Sequence, residues 1–450
     1  MTMPSLKTRQ IYSIIRSKSL LPESPQFYVD LLVWFLLLTP IALAAGATCA
    51  FFMLALEHSI HFRFSHGWII YLLPLAGMLV ALLNTGVNRL SNQTEHLKGT
   101  LLHRLITVFN TLIKIPLAFF SAVMSNLFGA SVGREGTALQ MSANFADGLS
   151  HLFDLHAHKR KILIFAGVAA GFGAIFGTPV AGMLFVVEVT AFAGTLSYRS
   201  LLPCVYTAMI SDTACGVITD FLHIKRLNQV IAAQPLFAGN WHFNGQNPLL
   251  LAKIFLAAVL FGIIGRIYMT GLSVSRDVFA KICKPAYLRP ALGGILTLLL
   301  VLLCGSRDYL GLGVISSHPP AGASVIDFFA GANNGFDWAW KLIFTLICIG
   351  SGFRGGNVTP MFFIGAGLGC VLGPWIAPEA APLFTGIGFV CVFCAALKTP
   401  ITATIIAAEV FGTENLAYYA FACVIAFAVS GSVDRRPEWL EQMLQDHTGL

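Results

Sequence analysis

The sequence predicts an all-α polytopic membrane protein made of two related halves, each built from short, partly discontinuous helices. Three observations lead there. Of the 450 residues, 56% are hydrophobic and only 11% charged, with a mean hydropathy of +0.76, whereas soluble domains carry about 25% charged residues. Apolar segments recur along the whole chain, yet many are too short to cross about 30 Å of hydrocarbon straight through, and several open on Gly, Thr or Pro. Such glycine- and proline-broken segments in two halves point to a transporter built from repeats. Finally, FGTPVAGMLFVVEV from Phe176 and LKTPITATIIAAEV from Leu397 align without a gap at an offset of 221 residues (176 to 397), sharing Thr, Pro, Glu and the final Val. Internal repetition at one fixed spacing is the signature of duplication.

The elements follow in order. Residues 1–29 carry Lys7, Arg9, Arg16 and Lys18 against one acid, Glu23. They lack the apolar core and small-residue cleavage site of a signal peptide, so a cytoplasmic lead-in is expected. The first membrane repeat is placed at 30–220, with apolar segments at 31–54, 68–83, 106–127, 162–176, 180–193 and 201–218. A polar linker occupies 221–248. The second repeat is placed at 249–431, with segments at 249–269, 292–303, 342–350, 361–376, 384–396, 401–410 and 418–429. Residues 432–450 are expected to form a short cytoplasmic tail. The net charge of +7 is scattered over tails and loops, an orientation signal rather than a nucleic-acid surface. A bacterial inner membrane with both termini in the cytoplasm is expected.

Most of the ten cysteines lie inside apolar runs, and only Cys391 and Cys394 have CxxC spacing. With no second pair and no nearby histidines, they predict neither a zinc site nor a disulfide framework. Small residues at a helix–helix contact account for them. No metal or other cofactor is expected.

The chemistry concentrates at two glycine-rich turns. GREGT from Gly133 and GGNVTP from Gly355 lie at an offset of 222 (133 to 355), and each leads into a helix. A helix's first turn exposes unpaired N–H groups and the positive end of its dipole, and glycines let the backbone approach a ligand closely. Two such starts aimed at one point make an anion site with little formal charge. Close helix packing is the alternative use of these glycines. Glu135 is ionisable at the edge of an apolar run, which costs at least about 2.5–3.5 kcal/mol on insertion scales. A carboxylate there competes with a soluble anion for the N–H groups, and protonation frees them. Its alternative is an ordinary first-turn acid paired with Arg134. Glu188 and Glu409 occupy matched positions in the repeats and are expected to share a structural task, accepting hydrogen bonds from loop N–H groups.

GASVG, Gly129 to Gly133, also fits the G-x-S-x-G turn of a serine nucleophile. Ser131 would then need a base within hydrogen-bond reach, and no apolar segment carries a central histidine. An intramembrane serine hydrolase is therefore the alternative from another class. No phosphate loop or H-E-x-x-H pattern is present.

With these motifs on the page, the chain resembles the CLC family of chloride channels and anion/proton exchangers. GREGT resembles the family's G-[KR]-E-G-P element, FGTPVAGMLFVVEV its F-x-x-P-x-A-G-x-x-F-x-x-E element, and GSGFRGGNVTPMFFIGAGLG its G-G-x-F-x-P element; YLGLGV (309–314) fits the opening of the second half. The resemblance covers about 31–432. It implies inverted-topology repeats of tilted, partly discontinuous helices, a homodimer with one pore per subunit, and halide and proton as the transported partners in a lipid bilayer. It also implies Glu135 as the gating and proton-transfer residue. Gly133, Arg134, Gly136 and Thr137 would form one helix-terminus site, facing Gly356, Asn357, Val358 and Thr359. The CBS domains of many relatives are not expected in the tail. Departures from the family pattern sort the subtype. The chloride-branch G-S-G-I-P is replaced at about 86–88 by GVN, so Asn88 is a further anion-site candidate. Val189 stands where proton-coupled chloride exchangers carry an inner glutamate, and Thr137 replaces the usual proline. These changes resemble the fluoride-exporting branch, so fluoride is favoured, with a chloride/proton exchanger or passive chloride channel as the alternative. The family's pore tyrosine has no counterpart in SGSVDRRPEW, and Tyr418 and Tyr419 come too early to replace it.

Overall fold

The computed structural model describes residues 25–92, 101–192, 200–232, 248–316, 322–332 and 334–431. The segment 1–24, the linker stretch 233–247 and the tail 432–450 lie outside the described residues. Within the described residues the regular structure is helical, with one isolated β-bridge between Gly133 and Gly356.

The first half contains α1 (Pro25–Ser65), α2 (Leu73–Asn92), α3 (Leu101–Leu127), α4 (Glu135–Leu152), α5 (Ala157–Phe176), α6 (Pro179–Phe192) and α7 (Leu201–Phe221). The short α8 (Leu227–Ala232) follows. The second half contains α9 (Pro248–Ile282), α10 (Arg289–Cys304), the short α11 (Val325–Phe329), α12 (Asp337–Ser351), α13 (Val358–Ile376), α14 (Ala381–Leu397), α15 (Pro400–Phe411) and α16 (Leu416–Val429). Seven helical stretches are long and apolar enough to span a bilayer. Four shorter apolar helices, at Pro179–Thr190, Arg289–Cys304, Pro400–Phe411 and Leu416–Val429, match the broken segments expected of a repeat-built transporter.

Hydropathy underestimates two elements. α4 was absent from the apolar segments, because Ser142, Asn144, Asp147 and Ser150 dilute its sequence; all four are buried. The helix is enclosed by other helices, so its sides need not match lipid. α12 begins at Asp337, five residues before the apolar run at 342, and takes Lys341 inside with it. At the other extreme, α1 and α9 run 41 and 35 residues, well past their apolar segments, and Ser65 and Lys281 stand at their ends.

The halves correspond at a pair of helix junctions. α5 and α6 meet at Gly177-Thr178, and α14 and α15 meet at Lys398-Thr399, with Gly177 and Lys398 both left-handed. The core is densest where α13 packs on α14. There Gly365 and Gly388 face each other so closely that a Cβ on either would run into the other's carbonyl oxygen. Absent side chains allow this approach, the standard device for packing helices without a hydrophobic drive from lipid. Phe362 stacks on Phe389 at 4.0 Å beside it.

Candidate functional site

The two glycine turns come together. Gly133 N–H donates to Gly356 O at 2.5 Å and Gly356 N–H donates back to Gly133 O at 2.7 Å. This antiparallel bridge sets the starts of α4 and α13 side by side. Arg134 and Asn357 are the N-cap residues, and the helices open at Glu135 and Val358. The register joining the halves here is therefore 223 residues (135 to 358), one more than sequence alignment gave. Arg134 takes the place matching Asn357, and Glu135 that of Val358. Similarity of glycines had fixed the alignment; the backbone bridge fixes the pairing.

Close approach explains why glycine stands at these positions. A Cβ on Gly356 would lie 2.7 Å from Gly136 N and 2.9 Å from Glu135 N, both backbone atoms. One on Gly136 would lie 3.2 Å from Gly356 Cα.

Glu135 is fully buried, and its carboxylate serves the opposite helix. Oε2 accepts from Thr359 N–H at 3.2 Å and from Arg134 N–H at 3.1 Å, and Oε1 accepts from the Thr359 hydroxyl. The carboxylate thus sits at the positive end of α13, where a free anion would also be favoured. Pro360 contributes no N–H to that first turn, so Thr359 supplies both its backbone and its side-chain donor. At α4, the N–H groups of Glu135, Gly136 and Thr137 precede the first intrahelical acceptor, which serves Ala138 at 3.2 Å. The two helix starts are bridged symmetrically but loaded differently.

The other candidates fall around this centre. Thr137, Val358 and Thr359 are buried, and Asn357 is half-buried. Arg134 is buried, with Nε 3.9 Å from Glu135 Oε1 and no hydrogen bond of its own at Nε. Asn88 lies in the body of α2, where backbone N–H groups are taken by the helix itself, so it does not stand at a helix start. Its side chain is outside the described residues.

Ser131 is fully buried; its hydroxyl is 3.1 Å from that of Thr345, and its N–H donates to Cys348 Sγ at 3.2 Å. No described histidine is buried, and Thr345 cannot act as a base at neutral pH. The G-x-S-x-G match is thus explained by a buried polar contact between α12 and the turn that leads into α4. Cys391 and Cys394 lie on α14, where the Cys394 thiol points to the Cys423 carbonyl of α16 at 3.3 Å.

Glu188 and Glu409 accept hydrogen bonds across the halves. Glu188 accepts from Ile401 N–H at 2.8 Å, Thr402 N–H at 2.7 Å and the Thr402 hydroxyl at 2.5 Å, at the start of α15. Glu409 accepts from Val180 N–H and Ala181 N–H, both at 3.0 Å, at the start of α6. Each carboxylate caps the helix of the other half, the reciprocity that a two-fold relation requires.

Sequence reading missed two buried side chains. Lys341 is completely enclosed; its ammonium donates to Tyr309 O at 2.9 Å and Gly311 O at 2.7 Å and lies 5.4 Å from the Phe363 ring centre. It pins the YLGLGV turn from within. Tyr268, on α9, is equally enclosed and places its hydroxyl 3.4 Å from Asn357 O. A lysine beside an apolar run was legible as an oddity; a tyrosine inside one gave no signal. Tyr418 and Tyr419 are buried on α16, with the Tyr419 ring stacked on Phe411 and its hydroxyl beside Gly386 of α14.

The family model described as voltage gated chloride channel matches residues 91–431. A chloride/fluoride channel protein of Pseudomonas syringae pv. tomato is 35% identical over 433 residues, covering 92% of this chain and 88% of its own length. A voltage-gated ClC-type chloride channel ClcB of Salmonella typhi is 27% identical over 371 residues, covering 79% and 82%. The crystal structure of a CLC-type fluoride/proton antiporter superposes with a TM-score of 0.75 at 28% identity, over 90% of this chain and 96% of that one. A slow cyanobacterial Cl-/H+ antiporter shares the fold, with a TM-score of 0.66 at 18% identity over 92% and 97%. The chain is therefore a multi-pass integral membrane protein that belongs to the CLC family of halide channels and transporters.

Proposed function

We propose that this protein exchanges fluoride for protons across a bacterial inner membrane, with Glu135 as both gate and proton carrier. The observation that carries this reading is the position of the Glu135 carboxylate, held by the Thr359 N–H and hydroxyl at the start of α13. A carboxylate in that place excludes a soluble anion from the same donors. Taking up a proton cancels its charge, weakens its hold on the helix terminus and releases the donors to a halide. Anion entry then requires proton uptake at that single residue. That is the minimal machinery of an exchanger, and no other cofactor is needed.

Gly133, Gly136 and Gly356 bring the backbones close, while Thr137, Asn357 and Val358 shape the two helix starts, and Arg134 holds positive charge beside the carboxylate. Fluoride is favoured because Thr137 and Val189 depart from the chloride-exchanger pattern. A 35% identical relative is a chloride/fluoride channel protein, and a solved structure with a TM-score of 0.75 is a CLC-type fluoride/proton antiporter. Two copies would assemble as a dimer with a pore in each, both termini in the cytoplasm and residues 1–29 leading in.

The deciding experiment is flux from liposomes loaded with fluoride or chloride, with and without a proton gradient. Fluoride efflux that drives proton uptake is expected, with chloride slower. Glu135→Gln, which cannot exchange a proton, should end proton movement. Proton-coupled flux that survives this substitution would overturn the gate assignment. Chloride moving faster than fluoride would favour the chloride reading.

A further inference from the structure

The buried stripe of α9 is apolar or glycine apart from one residue. Ala257, Ala258, Phe261, Gly262, Gly265, Tyr268 and Leu272 follow the three- and four-residue spacing of a helix face. Gly262 and Gly265 press this face onto α16 and α14: a Cβ on Gly262 would lie 2.9 Å from Ala426 O, and one on Gly265 3.0 Å from Val392 O. These contacts fix where Tyr268 can stand. Its ring is fully enclosed, and its hydroxyl reaches the carbonyl of Asn357, the residue that caps α13. Two residues farther on, Thr359 holds the Glu135 carboxylate. The hydroxyl therefore touches the very turn on which the gate is seated.

Packing alone does not explain a hydroxyl here. Phenylalanine would fill nearly the same volume without desolvating a polar group, which costs unless it is hydrogen-bonded. The bond to Asn357 O, at 3.4 Å, is longer than the usual 2.5–3.0 Å for an O–H donor, so the O–H is poorly satisfied while Glu135 occupies Thr359. A buried O–H in that state is a donor ready for a stronger acceptor. An anion arriving at the start of α13 when Glu135 leaves is such an acceptor.

We infer that Tyr268 is a halide-binding residue, whose hydroxyl turns from the Asn357 carbonyl to the anion displacing Glu135 at the start of α13. This rests on the transport reading above and adds a specificity determinant to it. Fluoride concentrates its charge in a smaller volume than chloride and is the stronger hydrogen-bond acceptor. A phenol donor at this point therefore stabilises fluoride more than chloride.

The test compares wild type with Tyr268→Phe in the full-length protein, using sodium fluoride and sodium chloride as probes. Calorimetric binding and liposome efflux are both read. The substitution should weaken fluoride binding and slow fluoride efflux by about tenfold, the worth of one hydrogen bond to a charged group, with a smaller effect on chloride. Melting temperature and elution volume should stay at wild-type values, because the ring still fills its place. Tyr268→Leu, which removes the ring as well, should lower the melting temperature. If Tyr268→Phe leaves binding, efflux and the fluoride-to-chloride ratio unchanged, the inference is wrong. A parallel fall for both halides together with a lowered melting temperature also overturns it, since that marks a packing defect. Failure of the wild type to bind or move either halide sinks the transport reading and takes this inference with it. Wild-type flux beside an unaltered Tyr268→Phe sinks this inference alone.

Discussion

The halves of this protein exchange carboxylates at two places, and the two differ in symmetry. At the α6–α15 contact both halves contribute a glutamate, and Glu188 and Glu409 each cap the other half's helix. At the α4–α13 contact the backbone bridge is reciprocal, but only α4 sends an acid across. A matched pair makes a clamp, because each carboxylate is held by two N–H donors of the other half's helix, whereas Glu135 takes one N–H from across, that of Thr359, and its second from its own neighbour Arg134. A single arm over a helix terminus can be replaced by any other anion. The same chemistry is thus doubled at one contact and single at the other, and the gate proposed above is the single arm.

The comparison can be broken most forcefully at the bridge. Gly356→Ala puts a methyl group within 2.7–2.9 Å of the Gly136 and Glu135 backbone nitrogens. Halide flux should drop to background, with about 1–3 kcal/mol lost to overpacking; near-normal liposome flux would show that the bridge need not close for transport. The clamp comes next. Glu188→Gln and Glu409→Gln each remove a charged acceptor from a helix terminus, and each should cost roughly 1.5–3 kcal/mol of stability. Glu188, with three donors, should cost more. Thermal melting with parallel flux assays tests this: a variant that melts normally yet loses proton coupling would move that glutamate from the clamp to the proton path.

Smaller effects are expected away from both contacts. Lys341→Met strands the Tyr309 and Gly311 carbonyls but also removes a buried charge, and the two effects partly offset. A net loss of about 1–2 kcal/mol is expected, with flux preserved. Selective loss of flux at an unchanged melting temperature would assign Lys341 to the anion path instead. The smallest change is Ser131→Ala, which removes one hydroxyl contact with Thr345 and should cost about 0.5–1.5 kcal/mol. Transport should continue; its abolition without unfolding would return Ser131 to the functional site.

The bilayer class, the broken segments and the duplication were all legible in the sequence, because each is written in composition or in short local patterns. Glu135 was legible too, since an ionisable residue among glycines and apolar residues carries a visible cost. The helix starts at GREGT and GGNVTP were read correctly as starts, but their register was one residue off. The helix after GREGT was expected from its start but missing from the apolar segments, because its buried Ser, Asn and Asp residues dilute the hydropathy of α4.

Only the tertiary structure decided where the Glu135 carboxylate goes. Sequence placed it at the first turn of its own helix, and the fold seats it on Thr359, 224 residues away. Tyr268 and Lys341 belong to the same class of fact. Local propensity and hydropathy report what a segment prefers against water or lipid, whereas these side chains are defined by partners that only packing brings within 3–4 Å. The sequence by itself determined that two helix starts and one acid exist; the fold decided which helix the acid guards.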